Sequence, residues 1–66
     1  MSTLKELRKH LYLSQEDLAG RSGMTAGTIN RLENGKQAPR FGTIRKLAKV
    51  LKVKPDDIDF NQEKNG

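Results

Sequence analysis

Sixty-six residues make one small domain, and with only 33% of them hydrophobic the core must be thin. The absence of cysteine excludes a disulfide framework, a thiolate metal site and a thiol nucleophile, and no apolar run approaches the roughly 20 residues of a membrane span or looks like a signal peptide. Thirteen Lys and Arg against eight Asp and Glu leave a net charge of +5, which favours a polyanionic partner; two Phe, one Tyr and no Trp leave little to stack unpaired bases, so duplex DNA is a better candidate than RNA or single strands.

In chain order, the first helix is predicted over Thr3–Leu11. Thr3 and Glu6 form a capping box, and Leu4, Leu7 and Leu11 fall at i, i+3 and i+7. His10 is the sole histidine, has no ligand-spaced companion and reads as a surface residue. Tyr12 and Leu13 connect to the next element, with Leu13 helping to cover the core. Ser14 to Gly35 then reads as two short helices joined by a tight turn. Ser14 is the first N-cap, with Asp17 where a capping box usually has Glu or Gln. Leu18 and Ala19 point inward, and Ser22-Gly23 breaks the pattern where a sharp turn needs positive φ. Thr25 caps the second helix, Ile29 and Leu32 face inward, and Asn34-Gly35 is the stop signal.

At about 100° per residue, Gly27, Asn30, Arg31 and Asn34 lie opposite Ile29 and Leu32, with Ala26 flanking them. Small residues, amides and one Arg suit a helix entering a major groove, although an ordinary solvated face has the same periodicity. Lys36 and Arg40 bracket the following loop, which is either a phosphate clamp or simply a charged loop. A fourth helix is expected over Phe41–Leu51, with Phe41, Ile44, Leu47, Ala48 and Leu51 on one stripe and Gly42 weakening its start. Val53 lies in an extended linker, Lys54-Pro55-Asp56-Asp57 begins a short fifth helix, and Ile58 and Phe60 dock onto helices one and four. Residues 61–66 contain nothing apolar and are expected to form a flexible tail. The expectation is an all-α fold of five short helices around one core at about residues 3–60, a single domain with no strand pattern.

Gln15 opening one helix, Ala19, Gly23, Ile29, Leu32 and the closing Glu33-Asn34-Gly35-Lys36 resemble the helix-turn-helix of the lambdoid phage repressor and Cro family, to which short regulators called Xre-like belong. The resemblance covers about Leu4 to Phe60. It implies a lambda-repressor-like, cytoplasmic, sequence-specific regulator of transcription, a repressor that binds duplex DNA as a homodimer on a palindromic operator. Half-sites would lie roughly 34 Å apart, and the dimer interface is expected around Val53 to Phe60. Helix 25–34 would read bases through Ala26, Gly27, Thr28, Asn30 and Arg31. Arg31 suits O6 and N7 of guanine, and Asn30 suits adenine. Gln15, Thr25, Asn34, Lys36 and Arg40 would contact phosphates. Arg8 and Glu33 would form a structural ion pair. Two features depart from the family pattern: Ala26-Gly27 where long amides are common, and Gly42 where a polar helix former is usual.

A second reading is an antitoxin-like module that holds a protein partner and binds DNA only to regulate itself. An enzyme is not expected. Glu16-Asp17 and Asp56-Asp57 sit at helix starts, where capping accounts for them, and no nucleophile has a base beside it. No cofactor and no metal are expected.

Overall fold

The computed structural model describes residues 2–60. Over this span the order is β1 (Ser2–Thr3), α1 (Leu4–His10), α2 (Gln15–Ser22), α3 (Ala26–Glu33), α4 (Phe41–Leu51), a 3-10 turn at Pro55–Asp57, and β2 (Ile58–Asp59). The expected flexible tail lies outside the described residues.

Local chemistry sets the helix starts. The Glu6 N–H donates to Thr3 Oγ1 at 3.2 Å, and the Thr3 N–H donates to Glu6 Oε1 at 2.8 Å. The same reciprocal pair recurs at α2, where the Asp17 N–H donates to Ser14 Oγ at 2.9 Å and the Ser14 N–H to Asp17 Oδ2 at 3.0 Å. Asp therefore completes the box as Glu would. At α3 the Thr28 N–H donates to Thr25 Oγ1 at 3.2 Å.

The core takes one or more residues from every helix. Leu4, Leu18, Ile29, Leu32 and Leu47 are fully buried, and Ala19, Ala48, Leu51 and Ile58 are nearly so. α2 packs against both α3 and α4, and Ala19 and Ala48 keep those contacts close. Leu7, Leu13, Met24, Val50, Val53 and Phe60 pack partly buried around this cluster.

Four expectations need correction. There are four α-helices among the described residues, and the fifth is a single 3-10 turn. Pro55 starts it and the Asp57 carboxylate accepts the Lys54 N–H at 3.2 Å, but Ile58 (φ −94°, ψ 122°) leaves helical space at once. Second, strands exist: β1 and β2 pair in parallel, Ser2 opposite Ile58 and Thr3 opposite Asp59. Ile58 thereby buries its side chain while its backbone joins the chain's first residues, and a two-residue strand is too short to show alternation.

Third, Phe41 is not part of the core: it is 86% exposed. It is the first residue of α4, where side chains lean toward the N-terminus and so past the end of the packed stripe. Fourth, Leu11 falls outside α1 and is 38% exposed. α1 ends at His10 because Tyr12 adopts φ 58°, so the i+7 step after Leu4 is no longer on the helix.

Candidate nucleic-acid interface

Three features present α3 to solvent. Gly23 takes φ 74° and closes α2, and the Met24 N–H bonds Ala19 O at 2.8 Å, which swings the chain into the cap at Thr25. Ile29 and Leu32 anchor the inner face in the core. At the far end Gly35, at φ 71°, allows its N–H to reach Leu32 O at 3.3 Å and the Lys36 N–H to reach Arg31 O at 2.9 Å. This paired closure satisfies two terminal carbonyls and launches the Gly35–Arg40 loop.

The outward face is as the periodicity placed it. Gly27, Asn30, Arg31 and Asn34 are exposed, while Ala26 and Thr28 are half-buried at its amino end. Asn34 Nδ2 donates to Asn30 Oδ1 at 3.2 Å, which leaves both amide N–H groups of Asn30 available. Arg31 Nε donates to Gln37 Oε1 at 3.0 Å and its Nη2 to Thr28 Oγ1 at 3.3 Å. Thr28 and Thr25 share a further hydroxyl–hydroxyl bond at 3.0 Å. Lys36 and Arg40 are exposed in the loop that follows α3, and Arg40 caps α4 through its backbone without a side-chain bond.

Behind the face lies a buried charge cluster. Arg8 Nε donates to Glu33 Oε2 at 2.6 Å and Arg8 Nη2 to Glu33 Oε1 at 3.1 Å, with the two side chains 10% and 3% exposed. Arg8 Nη1 donates to Leu13 O at 2.8 Å, and Gln15 Nε2 donates to Glu33 Oε1 at 3.1 Å. α1, the start of α2 and the end of α3 are thus held by one two-pronged ion pair with two further hydrogen bonds. Sequence reasoning missed both extra partners. The only available signal was arithmetic: Arg has more donors than one carboxylate can absorb. For Gln15 the consequence is chemical, because one of its amide N–H groups is already spent on Glu33.

Close to that cluster, the Ser14 backbone N–H, and next the Ser14 side chain, hold the Asp17 carboxyl below its ordinary value. No cluster of His, Cys, Asp or Glu that would hold a metal occurs among the described residues, and no helix there is long and apolar enough to cross a membrane.

The family profile described as Helix-turn-helix matches residues 4–58, the whole span from α1 to the start of β2. The chain belongs to the helix-turn-helix family. In that family's terms α2 and α3 are the paired helices, and the segment around Gly23 is the turn. The chain is 45% identical over 56 residues to the uncharacterized HTH-type transcriptional regulator RghRB of Bacillus subtilis, covering 83% of this chain and 40% of that one. It is 45% identical over 51 residues to the HTH-type transcriptional repressor RghR of the same organism, covering 76% of this chain and 38% of the relative. It is 33% identical over 64 residues to the cryptic phage CTXphi transcriptional repressor RstR of Vibrio cholerae, covering 97% and 58%. The chain therefore spans about two fifths of the length of RghRB and RghR. No solved structure matches it significantly.

Proposed function

We propose that the chain is a sequence-specific duplex-DNA-binding regulator of transcription, acting as a repressor, with α3 in the major groove. The observation that carries this reading is the α3 face itself. Exposed Asn30, Arg31 and Asn34 and the bare Gly27 stand on a helix whose back is fixed by a buried ion pair, with Lys36 and Arg40 exposed in the loop that follows it. A rigid helix with a fork of donors and flanking cations combines base readout with phosphate attachment. Arg31 addresses guanine and Asn30 adenine, with Ala26, Gly27 and Thr28 against the groove floor. Gln15, through its second amide N–H, together with Thr25, Asn34, Lys36 and Arg40, takes phosphates. Action in the cytoplasm belongs to the same proposal.

The proposal includes a homodimer on a palindromic operator, formed by a second copy of this chain. Its seam is the open groove of about 740 Å³ between α4 and the Pro55–Phe60 segment. Exposed Phe41 stands at this groove, and Ile44, Ile58 and Phe60 give it apolar walls. Arg45 and Asp56 also line it and form no ion pair with one another. A two-fold contact that set Arg45 of each copy against Asp56 of the other would make the charges self-complementary.

The test is selection from a random duplex pool, with binding followed across salt. Lys36→Ala is expected to weaken every sequence and lower the salt slope by about one. Arg31→Ala is expected to erase preference at one base pair per half-site, at a cost of about 1–3 kcal/mol there. Absence of any enriched sequence, with both variants behaving alike, would remove the groove-reading model and turn the search to a protein partner.

A further inference from the structure

The amino end of α3 carries no long side chain of its own, since Ala26 and Gly27 open it. Arg31 fills that vacancy from one turn further along. A helical side chain leans back toward the N-terminus, and the Arg31 guanidinium lies over Gly27: a Cβ built there would stand 3.4 Å from Nη1. Two groups hold it in place. Gln37, from the loop after α3, accepts the Nε–H at 3.0 Å, and Thr28 accepts from Nη2 at 3.3 Å. Thr28 is itself tied to the cap residue Thr25 at 3.0 Å.

From this we infer that Gln37 is a positioning residue for Arg31. The inference rests on the base-reading role proposed above for Arg31. Of the five guanidinium N–H groups, one edge is spent on protein through Nε and Nη2. Three donors remain, two on Nη1 and one on Nη2, which suffice for the paired acceptors O6 and N7 of guanine. Fixing a flexible Arg before binding removes much of the ordering cost that contact with DNA otherwise incurs. Gln37 thus contributes to sequence preference without touching a base.

Two readouts on the full chain test this separately. In the free protein, the Arg31 Nε–H signal in ¹⁵N NMR is expected to be protected from solvent exchange in wild type and in Gln37→Glu, which keeps an acceptor, and unprotected in Gln37→Ala. On DNA, Gln37→Ala is expected to lower discrimination about 3- to 10-fold at the same base pair that Arg31→Ala affects, with the salt slope unchanged. Gln37→Ala should add nothing in the Arg31→Ala background. Gln37→Glu should bind all sequences more weakly, because it adds a negative charge, yet keep the preference. An unprotected Nε–H in wild type overturns the posture. A Gln37→Ala effect at a different base pair, or a uniform loss with a lower salt slope, overturns the positioning role. If Arg31→Ala changes no base preference while the Nε–H is protected, the base-reading role falls and the specificity inference falls with it.

Discussion

The most consequential single interaction is the pair Arg8–Glu33. Both charges are withdrawn from water, so either truncation alone strands the other. Arg8→Ala or Glu33→Ala is expected to cost about 3–5 kcal/mol, which is comparable to the whole stability of a domain this small. Replacing both residues with Met should recover most of that loss, because no lone charge is then buried. Urea midpoints of the two single variants and the double variant measure this. Asp17 gives a second residue-scale prediction. Its folded pKa lies below its unfolded value, so its contribution to stability is present above the unfolded value and lost as pH falls through the folded one. Asp17→Asn should therefore flatten the pH dependence of the denaturation midpoint in the acid range and nowhere else.

At the scale of elements, two helices carry backbone choices that engineering would reverse. Gly20 is exposed within α2, and nothing lies within 4 Å of where its Cβ would be. Gly20→Ala should stabilise by about 0.5–1 kcal/mol, since only the unfolded chain loses freedom. α4 ends on Lys52 at φ 60°, a left-handed conformation that a Cβ disfavours by about 1–2 kcal/mol. Lys52→Gly should recover part of that, and thermal melts of both variants should move upward by a few degrees. The periodic helices were legible from the chain because their apolar residues repeat every three or four positions. The 3-10 turn was not, because Pro55 and two acids mark a helix start, whereas the stop comes from Ile58 pairing with Ser2, a residue 56 positions away.

At the scale of the whole molecule, the proposed dimer seam is the groove beside Phe41. If a second copy covers it, sedimentation velocity should show Phe41→Ser shifting the equilibrium toward monomer while the melting temperature of the isolated chain holds, since Phe41 is 86% exposed. Arg45→Glu and Asp56→Arg should each weaken the dimer, and the two together should restore it. A dimer indifferent to all of these variants would place the seam elsewhere.

The sequence by itself determined the existence of the four helices α1 to α4, the N-caps of α1 to α3, the turn at Gly23, the inward residues Leu18, Ile29 and Leu32 and the outward face of α3. These follow from short-range rules of periodicity and capping, and residue order carries them in full. Only the tertiary structure decided that Phe41 stands outside the core and that residues 2–3 and 58–59 pair as strands. It alone showed that Gln15 and Leu13 O join the Arg8–Glu33 cluster and that Gln37 holds Arg31. Each of these depends on which distant groups come within about 3 Å of one another, and that distance is set by packing rather than by spacing along the chain.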